Sequence, residues 1–344
     1  VWGRSLVCMH QESPTIGVRV SSQFPDDHSE RLRSIALLLF AVVIWGMQPL
    51  AIKIVLHFFS VAFTAFARSL AASLLFGALA VLQKRVGHAA APRSNADRVR
   101  VAAWLIIGGL GLGFSNIAWN LSLLYTTVGA TTVLSLISSV IIALYGIFFL
   151  AERCNPLRGG AIFLSLCGMF LISWNGEDLS ALVNSRYFLG NLLALAGGVG
   201  WALCALAQKV TVRGRSSVSV VAPMFVLSTL LCAFPASFGT VLVGPFSLSM
   251  LALMLLTGIL GMGLANVLFA QAMRTIPASV GAAVLAVNPL IAFVAASLLL
   301  HEPVTVYLLF GAPLTSGGVA LAFLSMSASP PSSSDSVKHS IATD

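Results

Sequence analysis

Apolar residues along this chain gather into runs of about twenty, and polar residues gather between them. Ten such runs are predicted as helices, over approximately 34–56, 60–82, 101–123, 128–150, 157–174, 189–209, 218–241, 250–273, 278–300 and 304–325. At 1.5 Å per residue, each is long enough for a hydrocarbon layer of about 30 Å. A helix satisfies its own backbone polar groups, which is what a segment inside lipid requires. The pattern therefore predicts an all-α polytopic membrane protein with ten transmembrane helices.

The runs repeat. Subtracting 150 from each number in 260–302 superimposes LGMGLANVLFAQAMRTIPASVGAAVLAVNPLIAFVAASLLLHE on LGLGFSNIAWNLSLLYTTVGATTVLSLISSVIIALYGIFFLAE without a gap. Leu110/Leu260, Gly111/Gly261, Gly113/Gly263, Asn116/Asn266, Ile141/Ile291 and Glu152/Glu302 coincide, and the match runs on through Gly168/Gly318. With a shift of 156 it reaches the first span of each half, where Trp45 meets Trp201 and Lys53 meets Lys209. Five spans per half is an odd number, so the second half is expected upside down relative to the first. Inverted repeats recur among secondary transporters, with the substrate path at mid-membrane between the repeats.

Composition sharpens this picture. Of 344 residues, 58% are hydrophobic and 9% charged, against roughly 25% charged in a typical soluble domain. A net charge of +8 would point a soluble protein toward nucleic acid. Here the basic residues sit in short loops and act as topology signals. Arg31 and Arg33, the set from Lys84 to Arg100, Arg153 and Arg158, Arg213 and Arg215, Arg274 and Lys338 fall on one side. The other side carries only Arg186, beside Glu177 and Asp178. The positive-inside rule places both termini in the cytoplasm. Residues 1–33 are expected as a flexible cytoplasmic leader, 34–174 as the first five-helix repeat, 175–188 as an external linker, 189–326 as the second repeat and 327–344 as a disordered tail. The five cysteines are scattered without a CxxC or a histidine cluster, so neither a disulfide frame nor a metal site is expected.

Candidate chemistry lies in the few polar residues within spans. Trp45, Pro49 and Lys53 follow one another at helical spacing on one face of span 1. They read as a cavity wall with a rocking kink, or as a packing tryptophan and a lysine snorkelling to the interface. Arg68 sits eight residues into span 2, and a central arginine costs about 2.5–3.5 kcal/mol on insertion scales. No carboxylate lies deep in any span, so Arg68 either receives a substrate carboxylate or phosphate, or bonds to carbonyls and snorkels. Asn116 and Asn120 stand one turn apart in span 3, and Asn266 and Asn288 come from spans 8 and 9. These asparagines and Trp201 complete the candidate substrate-binding set. The hydroxyls Thr127, Thr131, Ser135 and Ser138 are expected to bridge helices or bond to their own preceding turn. Glu152 and Glu302 close spans 4 and 9 and are expected as interface anchors or as partners of nearby basic groups. No phosphate loop and no catalytic acid–base–nucleophile set is present. No cofactor, metal or catalytic residue is therefore expected.

The ordered set of Trp45-Gly46, Arg68, asparagine-bearing spans 3 and 8, Glu152 and Glu302, Gly168 and Gly318, and Asn288-Pro289 resembles the EamA family of the drug/metabolite transporter superfamily. The resemblance covers residues 34–326. It implies a carrier that exports or exchanges small metabolites such as amino acids or related organic anions, with a central cavity lined from both halves. Its expected partners are a small-molecule metabolite and the lipid bilayer of the cell membrane, not nucleic acid, and a homodimer is left open. One departure stands out. Ser139 occupies the place of Pro289, so a helix break is expected only in the second half, making Pro49 and Pro289 the candidate gating residues. A non-transporting membrane partner or sensor, and an intramembrane transferase, are the alternatives.

Overall fold

A computed structural model describes residues 28–85, 95–149, 156–174, 186–211, 215–272, 284 and 286–327. The described chain is helical almost throughout. The first repeat supplies α1 (His28–Val55), α2 (Val61–Arg85), α3 (Asn95–Tyr125), α4 (Val128–Leu134), α5 (Ile137–Phe149) and α6 (Pro156–Trp174). The second supplies α7 (Arg186–Thr211), α8 (Ser217–Phe238), α9 (Leu248–Thr257), a π-helical stretch (Gly258–Leu264), α10 (Ala265–Ala272), α11 (Asn288–Leu299) and α12 (Val306–Ser327). Among the described residues nine helical segments are long and apolar enough to cross a membrane, counting α4–α5 as one and α9–α10 as one. The expected ninth span lies partly outside the described residues, and its described part, α11, has twelve residues. Glu152 and Arg274 also lie outside them.

Side-chain placement is that of a protein surrounded by lipid. Large apolar side chains stand on the outside, with Phe149 at 75% and Phe238 at 80% exposure, while hydroxyls, amides and Arg68 are buried within. Two of the five apolar clusters among the described residues are the largest. One joins α4, α5, α6 and α12 around Leu134, Ile162 and Ala312, and the other joins α2, α3, α7 and α8 around Phe76, Leu112, Cys204 and Met224.

Contacts between the repeats come in matched pairs. Helix α6 packs on α12, its own repeat mate, and α2 packs on α8. Helix α7 packs on α3, and correspondingly α1 packs on α9, the π-helical stretch and α10. The α6–α12 seam shows the matching at single atoms. A Cβ added at Gly168 would lie 2.7 Å from Gly311 O and crowd Thr315 Oγ1, and one added at Gly318 would lie 2.7 Å from Ala161 O and 2.5 Å from Ser165 Oγ. Adding 150 to Ala161, Ser165 and Gly168 gives Gly311, Thr315 and Gly318, so each contact set is the other's image. Small residues let these backbones meet where no hydrophobic force between helices exists.

The fourth span corrects an expectation. A break only in the second half was expected, because Ser139 replaces Pro289. Instead the span divides at Ser135–Leu136, between α4 and α5. Serine chemistry accompanies the division without a proline. Ser135 Oγ donates to Thr131 O at 2.5 Å, Ser138 Oγ donates to Ser135 O at 2.8 Å, and the amides of Leu136, Ser138 and Ser139 each reach back three residues instead of four. In the second half the turn at Ala286–Val287 precedes α11 at the equivalent place. Pro49, the other candidate kink, lies inside an α1 that stays helical from His28 to Val55.

Loops gather at the Lys53 end. Phe59 and Leu242 form an isolated antiparallel bridge, in which Ser60 N donates to Val241 O at 3.1 Å and Val243 N donates to Phe58 O at 3.0 Å. The connection from span 1 to span 2 is thereby joined to the one from span 7 to span 8.

Candidate functional site

Arg68 is 2% exposed and serves as the hub of a buried polar network. Its Nε donates to Thr257 Oγ1 at 3.1 Å, and Nη1 donates to Asn120 Oδ1 at 3.0 Å and Asn116 Oδ1 at 3.4 Å. The spacing of Asn116 and Asn120 puts both amides on one face of α3, and Asn120 Nδ2 donates to Asn116 Oδ1 at 3.3 Å. Asn116 Nδ2 returns to α2 through Ser69 Oγ at 2.7 Å. Gly258 allows the approach from the other repeat, since a Cβ there would lie 2.7 Å from Arg68 O. The guanidinium thus neither snorkels nor relies on carbonyls, the two routes expected in the absence of a substrate. It is held by neutral side-chain oxygens from α3 and α9, and such charge-assisted bonds are about twice as strong as neutral ones.

Beside this hub lies the π-helical stretch, whose carbonyls attract two candidate residues. Trp45 Nε1 donates to Gly261 O at 2.7 Å, and Asn266 Nδ2 donates to Met262 O at 2.8 Å. Asn266 therefore bonds within its own helical segment, unlike its repeat mate Asn116. Asn288 Oδ1 is buried and has no hydrogen-bond partner among the described residues, on an α11 whose Asn288 carbonyl approaches Gly46 of α1. Trp201 is 37% exposed on α7 and does not share the surroundings of Trp45.

A second constellation forms at the rim. Lys53 Nζ donates to Glu302 Oε1 at 2.5 Å and to Thr126 O at 3.2 Å, while Glu302 Oε2 accepts from Val128 N at 2.9 Å. One carboxylate thereby ties the end of α1, the start of α4 and the connection from α11 to α12. Lys53 reaches the rim, and there it is ion-paired to a carboxylate 249 residues away in sequence. The expected role of Glu302 as a partner for a basic group is seen here. The turn that aims it is unusual, because His301 takes φ 51° without being glycine. The pair borders a cleft of about 390 Å³, also lined by Tyr125, Thr126, Arg186 and Tyr187.

The sequence pattern of the EamA-like transporter family matches residues 32–174 and, a second time, residues 188–324. The chain belongs to the EamA-like transporter family. An "Uncharacterized transporter" of Haemophilus influenzae is 25% identical over 188 residues, which are 54% of this chain and 59% of that protein. The "Uncharacterized inner membrane transporter YhbE" of Escherichia coli K12 is 27% identical over 198 residues, 57% of this chain and 60% of its own length. The chain thus spans about 60% of the curated relatives it matches. A solved crystal structure shares the fold at a TM-score of 0.58 and 19% identity, covering 85% of this chain and 97% of its own.

Among EamA candidates, the structure brings Arg68, Asn116 and Asn120 into direct contact and sets Trp45 and Asn266 against adjoining π-helical carbonyls. Lys53 lies apart at the rim, and Trp201 joins neither group. Sequence reasoning missed Thr257 as an Arg68 partner and Arg186 as a cleft residue. Thr257 carried a legible signal, since it immediately precedes the glycine-rich 258–263 segment.

Proposed function

We propose that the chain is a secondary carrier that moves small metabolites by alternating access between two inverted five-helix halves, exporting or exchanging amino acids or related organic anions. The matched contacts between the repeats carry this reading. Lys53 closes span 1 and Arg186 opens its repeat mate, span 6, yet both line one cleft. That is the arrangement expected of halves running in opposite directions, and halves with equivalent seams can exchange conformations at similar energy. The Lys53 end is the outer face and both termini are cytoplasmic, since the basic loops lie at the other end. Arg68 and its asparagines brace the interface from which a central path would be built. The Lys53–Glu302 pair closes the outer rim and must separate when that rim widens.

Reconstitution into proteoliposomes tests the carrier. Saturable uptake of a labelled amino acid or organic anion, stimulated by unlabelled solute on the opposite side, is expected. Flux that never saturates and shows no counterflow would refute it.

A further inference from the structure

We propose that the rim cleft is a docking site for a small carboxylate with a short apolar body, and that Arg186 receives the carboxylate. Two cations and one carboxylate line the cleft: Lys53, Arg186 and Glu302. Both Glu302 oxygens are engaged, one by Lys53 and the other by Val128 N. That leaves Arg186 as the cation of this cleft without a carboxylate among the described residues. Its guanidinium donates through Nη2 to Leu124 O and stands 5.7 Å from the centre of the Tyr125 ring. Neither contact neutralises it, and a guanidinium has five N–H donors in a planar fork suited to a carboxylate.

Arg186 is the first described residue of α7, and no acidic residue stands in the first described turn beside it. Leu56, Leu123, Leu124 and Pro303 supply an apolar part of the wall, beside His57, Tyr125, Thr126, Thr127 and Tyr187. A volume of about 390 Å³ falls within the usual range of small-molecule sites, about 300–1,000 Å³. An amine alone is disfavoured by charge, because it would meet two cations and a single carboxylate that Lys53 already pairs. The proposal rests on the carrier reading for the docked molecule being cargo, and on the cleft's own geometry for its binding.

Calorimetry on the intact protein in detergent micelles, with three probes of one shape, tests it. L-leucine and 4-methylpentanoate both carry the carboxylate, and 3-methylbutylamine lacks it. Binding of both carboxylates and none of the amine is expected, with affinity at least tenfold weaker in Arg186→Gln and partly restored in Arg186→Lys. Should Arg186→Gln fold poorly, Tyr187→Glu places a negative charge at the same mouth and should produce the same loss. The proposal is overturned if neither carboxylate binds, if the amine binds as well, or if Arg186→Gln binds like the parent. Carboxylate binding without counterflow would remove the carrier reading and leave the site. Counterflow indifferent to Arg186→Gln would overturn the docked molecule's role as cargo and leave the carrier.

Discussion

A single guanidinium can be stable within a span because three neighbouring side chains supply oxygens at fixed positions. Arg68→Lys keeps the charge but replaces a planar fork with a point donor that cannot serve Thr257, Asn116 and Asn120 together. A loss of about 2 kcal/mol is expected, in line with hydrogen bonds to charged groups, read as a lower melting temperature in detergent. Gly258→Ala should cost about 1–3 kcal/mol by overpacking, since its Cβ would meet the Arg68 backbone. The rim pair belongs to a different class. Its side chains are 23% and 11% exposed, so a double-mutant cycle of Lys53→Ala and Glu302→Ala should give a coupling of about 1 kcal/mol, at the upper end for exposed pairs. Additive effects in the four melting curves would remove the pair as a structural tie.

At the scale of elements, the turn after α11 decides where Glu302 points. His301 holds a left-handed backbone that costs a non-glycine residue about 1–2 kcal/mol. His301→Gly should therefore stabilise by about 0.5 kcal/mol once glycine's greater unfolded-state freedom is deducted. His301→Val should destabilise, because a β-branched residue tolerates this region least. Equal melting temperatures for both variants would show that the turn is unstrained. The existence of the spans was legible from apolar run length alone, because lipid demands it. The break in span 4 was not. A search for breaks looks for proline, whereas Ser135 and Ser138 accompany this one with hydroxyl bonds to carbonyls of their own turns. The bond from Lys53 to Glu302 was equally hidden, since each had a sufficient explanation alone and only the folded connection places them together. Asn116, Asn120 and Arg68 were legible as residues but not as one network, because their contact depends on how α2 and α3 face each other.

At the scale of the molecule, charge bias and connectivity make one prediction together. After replacement of the native cysteines, a cysteine at Lys338 should react with a membrane-impermeant maleimide only in opened cells, and one at Pro245 should react in intact cells. Pro245 lies in the connection joined to the span 1–span 2 turn at the Lys53 end. The opposite labelling pattern would reverse the proposed orientation of the chain and place the rim cleft in the cytoplasm. The α6–α12 seam reaches further than packing. Gly168 meets Gly311 and Thr315, while Gly318 meets Ala161 and Ser165, so this surface of one half is complementary to itself. Two separate copies of such a half would already possess a closed two-fold interface of the isologous kind found in homodimers. A covalent link between the halves then adds effective concentration to a pairing that the surface itself encodes.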